Sequence, residues 1–507
     1  MDIKYEDILN YPDLNRFEPP QVVNILGLIF ETSREQSNVA NLRIGLDFSE
    51  KQVLDKFTDH DKMIFHYNVA NGWSYLQRLT QDLNSVKFWE FDCPELDQQI
   101  MNLRLALKNS ETVIDDFNKC QILTNLGNLF SHLGRFSEAQ NYWQEALSIL
   151  PDFSMAIGNI GFGLSHYAKV LYDTGQQLVL FQFAYKYLNQ GINQDIYEEA
   201  KQSFKQQILD LEAHIGKKNL IDLPDQKDYK LGKSKGETLY RKWCLDNKLF
   251  LNPLNDISVE AVAGQDCLYL PSMILKLDQP PIYHTIFNQI KQEYVSARFL
   301  LYEGIYQKKF HFSDRGNIQM DTLDYSTYSL SIEKVKIAFR ICYSLFDKIG
   351  FLLNDYLELN CLPDKVTFRN IWYLYENKKP KSLNKRISTI KNWPFRGLYW
   401  LSKDLFEKNF ALTIEPDAQE IATIRNFIEH KSFKTVEFGF SGLTDDGLTY
   451  SISRNEFERK TLKLFTLARA AIIYLSLGIN LEEKKKIKDN APIFPIDFEN
   501  LRDSYKR

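Results

Sequence analysis

Cysteine and histidine are scarce in this chain: six cysteines (Cys93, Cys120, Cys244, Cys267, Cys342, Cys361) and eight histidines in 507 residues. No two cysteines form a CxxC pair, so a zinc ribbon or dithiol redox site has nothing to draw on, and no metal or other cofactor is expected. This usage fits a reducing compartment. Glycine (22) and proline (16) are few for the length, which argues against a turn-rich all-β fold. Neither sign of charge dominates: Lys+Arg 62 against Asp+Glu 66 gives a net charge of −4, so a nucleic-acid surface has to be a local patch. No apolar run approaches the ~20 residues of a membrane span. The N-terminal MDIKYEDILNYPDL lacks the basic start and apolar run of a signal peptide. The expectation is a cytoplasmic protein with no membrane partner.

Large packing groups are abundant: Phe 35, Tyr 27 and Trp 7. With 44% hydrophobic and 25% charged residues, the chain has the composition of a folded protein, and its length calls for more than one core. Helical periodicity predominates. From Leu123, the residues Leu126, Gly127, Phe130, Gly134, Ala139, Trp143, Ala146 and Pro151 follow at the spacings of one helical hairpin. Gly127 and Ala139 are small where two helices cross closely; Phe130 and Trp143 fill the groove beside that crossing. Gly161 recurs 34 residues after Gly127, in a second, less regular hairpin ending near Ala184 and Tyr187. Upstream, Phe65–Leu79 and residues 96–109 supply a further pair. This pattern resembles the tetratricopeptide repeat, whose stacked hairpins present a concave surface to a peptide or protein ligand. GNIGFG at 158–163 and GKS at 232–234 carry no phosphate-binding expectation: the first has its glycines in the wrong order and lies within a helix, and the second lacks the glycine that should precede it.

The expected organisation is an N-terminal helical segment (1–58), tetratricopeptide-like repeats (59–215), a linker and extended turn-rich segment (216–284), a helical bundle (285–490) and a tail (491–507). In the bundle, 331–360 reads as a long amphipathic helix and 416–432 as another, with Pro416 in its first turn. A short hairpin is expected where Val436, Phe438 and Phe440 face Tyr450 and Ile452 across Gly442 to Gly447, with Asp445-Asp446 as turn formers. Ser453 and Glu456 then have capping-box spacing for a last long helix. Residues 361–413 read as an insertion. Its basic run (Lys378, Lys379, Lys381, Lys385, Arg386, Lys391), followed by Arg396 among Trp393, Phe395, Tyr399 and Trp400, suits phosphate contact and base stacking. The alternative is a solvated loop whose aromatics pack onto the core.

The candidate chemistry lies in Arg425-Asn426-Phe427-Ile428-Glu429-His430. Ile421, Ile424 and Ile428 share one helical face, leaving Arg425, Asn426, Glu429 and His430 on a contiguous polar flank. Arg425 and His430 are about 140° apart on an ideal helix, so they converge on one ligand only across a groove between facing helices. The hexapeptide resembles the RNxxxH signature of the HEPN superfamily of helical bundles. The helix bearing Arg340, Ser344, Asp347 and Asn354 is similar to that superfamily's acidic-residue helix. NKLFLNPLND (247–256) and LYWLSKDLF (398–406) resemble parts of a bacterial subfamily in which tetratricopeptide-like repeats precede the HEPN domain.

The resemblance implies a mostly α protein: a repeat array, then a HEPN-type bundle with an insertion and a small β-hairpin. It further implies a metal-independent endoribonuclease, a toxin or antiviral effector, acting as a homodimer through paired HEPN domains with the repeats as sensor or regulator. His430 would then be the general base or acid at the ribose 2′-OH and leaving oxygen. Arg425 would hold the scissile phosphate. Asn426 would orient His430 or a phosphate oxygen, Glu429 would fix Arg425, and Asp347 would serve as an acid across the helix pair. RNA rather than DNA is the expected substrate, because the attacking group is the 2′-OH. The competing expectation is a non-catalytic repeat scaffold whose HEPN-like bundle only dimerises or binds nucleotide.

Overall fold

The computed structural model describes residues 5–81, 89–193, 196–222, 230–258, 260–276, 278–307, 309–376, 379–406, 416–437, 442–443, 447–486, 495–497 and 499–506. The fold is dominated by helices. Three N-terminal helices, α1 (Pro19–Glu35), α2 (Val39–Glu50) and α3 (Asp59–Thr80), enclose a core of their own around Phe30. A Cβ at Gly45 or Gly72 would come within 2.7 Å of the Phe30 ring, which is why both positions are glycine. Thr58 and Asp61 form a reciprocal capping box that starts α3.

Hairpins follow: α3 with α4 (Pro94–Asn109), α5 (Asp116–His132) with α6 (Phe136–Ile149), and α7 (Ser154–Val170) with α8 (Thr174–Ile192), closed by α9 (Glu198–Ile215). The predicted repeat spacing holds in three dimensions. Trp143 and Phe130 are buried, and a Cβ on Gly127 would lie 2.3 Å from the Trp143 indole. The glycines of 158–163 serve packing: Gly158 faces the Phe204 ring, Gly161 faces α8, and Gly163 faces Trp143.

In the segment expected to be extended, Lys235–Asp246 instead forms helix α10. Its N-cap is Ser234, whose hydroxyl accepts from the Glu237 amide, so a local cap and apolar Trp243, Cys244 and Leu245 outweigh the turn residues downstream. The bundle comprises α11 (Ile282–Tyr306), α12 (Leu330–Tyr356), α13 (Trp393–Phe406), α14 (Pro416–His430) and α15 (Arg454–Lys486). Contrary to the expectation, α15 is apolar and long enough to cross a membrane, yet 89% of its most apolar window is buried. It is the central helix, packed against α11, α12 and α13.

Two small sheets complete the bundle. Strands β2 (Tyr373–Glu376) and β3 (Lys379–Leu383) form an antiparallel hairpin. The other sheet has the order β1-β4-β6-β5, from β1 (Ser326–Thr327), β4 (Ser432–Val436), β5 (Gly442–Leu443) and β6 (Thr449–Ser453). This corrects the expected hairpin: β4 pairs with β6 in parallel, and it is β5 that pairs with β6 antiparallel. The parallel register sets Phe433 opposite Tyr450 with their rings stacked, over the buried Phe457. Phe438, Phe440, Asp445 and Asp446 lie outside the described residues. The Glu456 amide donates to Ser453 Oγ at 3.3 Å, capping α15 as expected.

Repeats and bundle share one continuous hydrophobic core, from Met63 in α3 to Ile479 in α15. Two buried polar clusters lock them together. Asp404 of α13 accepts two 2.9 Å hydrogen bonds from Arg104 of α4 and pairs with Arg135 at the α5–α6 turn, which also pairs with Glu138. Asp256 accepts from Arg469 of α15 (2.5 Å), Ser137 of α6 (2.7 Å) and Tyr167 of α7 (3.1 Å). At the same junction Gly134 and Gly397 stand back to back: a Cβ on Gly134 would lie 2.0 Å from the Trp393 carbonyl oxygen. The sequences LNPLND and LYWLSKD are therefore the two seams along which repeat and bundle are joined.

Candidate functional site

Helix α14 is fastened at both ends. Near its start, Glu420 accepts a 2.5 Å hydrogen bond from the Tyr450 hydroxyl and pairs with buried Lys460 at 2.6 Å. Near its end, Arg340 of α12 donates to the Ile428 carbonyl at 3.0 Å. That carbonyl is among the last of the helix, where a cation also complements the helix dipole. Ile421, Ile424, Phe427 and Ile428 are buried, as the periodicity requires. The opposite flank carries Asn426, Glu429 and His430 exposed and Arg425 half-buried.

The polar groups are partnered differently from the expectation. Glu429 does not fix Arg425; its carboxylate lies 3.7 Å from Arg340 Nε, because Arg340 already reaches that turn to meet the Ile428 carbonyl. Arg425 donates to Asn426 Oδ1 at 3.2 Å, so Asn426 is engaged by Arg425 rather than by His430. The Arg425 guanidinium also lies 5.7 Å from the centre of the Tyr343 ring. Burial first, then the Asp347 charge, pushes the Tyr343 phenol up to about 12, against the opposing pull of Arg425 and Arg369. Asp347 is near this group but makes no ion pair with α14 among the described residues; its Oδ1 accepts the Phe368 amide at 3.0 Å. Arg340, Tyr343 and Arg369 thus join the neighbourhood of the motif. The sequence carries Arg340 only as part of the family resemblance, with no role attached, and gives no sign of Tyr343 or Arg369.

The basic run lies elsewhere. Arg386 is exposed and pairs with Glu358 at 2.6 Å, and Asn384 donates to the Leu359 carbonyl, both just past the end of α12. Arg340 and Tyr356 are 16 residues apart, so the run is about 24 Å along α12 from the motif. Lys385 and Lys391 are exposed, Lys379 and Lys381 belong to β3, and Lys378 lies outside the described residues.

Arg396 is a correction. It is buried, and its Nη1 donates to the His132 carbonyl at 3.3 Å, at the C-terminal end of α5, so it is unavailable to RNA. Trp393 donates to the neighbouring Ser131 carbonyl, while Phe395, Tyr399 and Trp400 are core residues. Helix α13 is thus an integral layer of the bundle rather than part of an insertion, because its polar residues find buried partners on the repeats.

Two cavities among the described residues lie away from the motif. A cavity of about 450 Å³ lined by Tyr240, Asp266 and Arg298, and one of about 280 Å³ lined by Glu138, Lys248 and Arg469, include no residue of α14. No cluster of three His, Cys, Asp or Glu side chains suited to a metal occurs among the described residues. The flank of α14 thus presents Arg425, Asn426, Glu429 and His430 to solvent on one chain.

Residues 274–482 match the family model described as LA2681-like HEPN, and residues 120–153, α5 and α6, match that of a tetratricopeptide repeat. No curated protein and no solved structure matches the chain.

Proposed function

We propose, from the premise that this chain carries an LA2681-like HEPN domain behind tetratricopeptide repeats, that it is a metal-independent endoribonuclease acting as a homodimer. The observation that carries this reading is the solvent-facing flank of α14, where Arg425 and His430 stand on a helix fastened at both ends and open to a facing partner. In a two-fold pair each flank becomes the second wall of the other's cleft. Arg425, supported by Asn426, holds the scissile phosphate and balances the charge that grows on it. His430 takes the proton of the 2′-OH or delivers one to the leaving 5′-oxygen. The O–P bond to the 2′-oxygen forms as the P–O5′ bond breaks, leaving a 2′,3′-cyclic phosphate. Arg340 positions Glu429 and the helix end. Lys385, Lys391 and the β2–β3 hairpin serve as a distal RNA contact. The proposal extends to a toxin or antiviral effector whose repeats serve as sensor or regulator.

The test is incubation of the full-length protein with total RNA in EDTA, beside Arg425→Ala and His430→Ala. Wild type should release fragments ending in cyclic phosphate, and each variant should lose at least about a hundredfold in rate while keeping its fold. Cleavage that survives in both variants refutes the site. Absence of cleavage by wild type favours the binding scaffold.

A further inference from the structure

The connection from α11 to α12 turns its apolar side chains outward. Ile318, Met320 and Leu323 are 84–92% exposed, and Phe310, Phe312 and Tyr325 are two-thirds exposed or more. At roughly 150–250 Å² for a whole aromatic side chain, the three aromatics alone expose on the order of 400 Å², and the three aliphatic chains add to it. Apolar patches on soluble monomers rarely exceed a few hundred Å², whereas about 800 Å² per partner is what a stable interface covers.

The loop is held in this display. The Leu330 amide donates to Asp314 at 3.0 Å. Asp324 accepts from Thr322 (2.6 Å) and Ser326 (2.5 Å) and pairs with Lys434 of β4. Leu323 and Tyr325 adopt left-handed backbone (φ 59° and 57°), uncommon for bulky side chains and costly unless their surroundings enforce it. Three of the six exposed groups are aliphatic and cannot stack on bases, which favours a protein surface over an RNA platform.

The end of the connection lies beside the strand that follows the motif helix. It leads into β1, which pairs with β4, and β4 begins two residues after His430. On α12, Ile337 is 38% exposed and lies one turn before Arg340. We infer that residues 309–328 form a pairing arm that docks on a second copy of this chain, the two arms clasping symmetrically and bringing the α14 flanks together. Only the last step rests on the nuclease reading; the docking itself does not.

The experiment is sedimentation velocity of the full-length protein over a micromolar concentration series, with Ile318→Asp/Leu323→Asp and His430→Ala alongside. Circular dichroism checks that the arm variant, changed only at exposed positions, stays folded. Wild type and His430→Ala should be dimers, and the arm variant should dissociate with a Kd raised at least about a hundredfold, as expected for losing two large apolar anchors. A dimeric arm variant overturns the arm while leaving pairing intact, and a monomeric wild type overturns it outright. An arm variant that stays dimeric but loses affinity for a fluorescent single-stranded RNA assigns the loop to RNA instead. If wild type dimerises through the arm but cuts no RNA, the nuclease reading fails and the arm stands.

Discussion

Asp404→Asn removes one negative charge and almost no volume from the seam between repeats and bundle. Asp404, Arg104 and Arg135 have side chains no more than 6% exposed. Burial alone would raise the Asp404 carboxyl; Arg104 and Arg135 more than reverse this and hold it well below the usual carboxylate range. In the variant both guanidiniums stay buried, and Arg135 keeps only Glu138 as an acidic partner. Breaking a buried ion pair from one side costs about 3–5 kcal/mol, a large share of the roughly 5–15 kcal/mol that holds a typical native state. The assay is urea unfolding followed in parallel by tryptophan fluorescence and circular dichroism. Wild type should unfold with coincident transitions because one core spans both halves. The variant should lose about 3–5 kcal/mol or unfold in two steps. The exposed pair Arg386–Glu358 is the control: Glu358→Gln should change stability by less than about 1 kcal/mol. An Asp404→Asn variant within about 1 kcal/mol of wild type refutes the seam as an energetic joint.

Other consequences are equally direct. Gly134 has a left-handed backbone (φ +87°) and no room for a Cβ, so Gly134→Ala should destabilise by about 2–4 kcal/mol, whereas Gly236→Ala, with nothing within 4 Å, should leave the urea midpoint unchanged or raise it; equal effects would contradict the packing described. Burial, then Arg396 and Arg78, push the His132 imidazole down to about 3. Between its ordinary value near 6.5 and that lowered one, the unfolded chain binds a proton that the folded chain refuses, so stability falls as pH drops through this window. His132→Gln should flatten that slope, with a difference of about 1–2 kcal/mol between pH 7 and pH 5, and parallel pH profiles would show that the ring is not held neutral.

The parts legible in the sequence were those written as a period or a local cap. Ile421, Ile424 and Ile428 announced the buried face of α14, and Gly127, Ala139 and Trp143 announced a helix crossing. Ser453 announced the start of α15. The illegible parts depend on partners far away in the chain. Nothing near Lys403, Asp404 or Arg396 shows that they are buried, because their partners are Asp97, Arg104 and His132, some 260–310 residues earlier. The parallel pairing of β4 with β6 was invisible for a related reason: alternation marks a strand but does not choose its neighbour or direction. At the motif, the resemblance paired Glu429 with Arg425, and Arg340 from another helix took the glutamate instead.

The seam through Asp404 and Asp256 also limits how a signal can travel. Guanidiniums clamped across it and glycines of facing elements in van der Waals contact hold the repeats against the bundle at this seam. On the proposed reading as a paired nuclease, control from the N-terminal end would then have to act on how often two molecules meet, and turnover per molecule should climb with protein concentration.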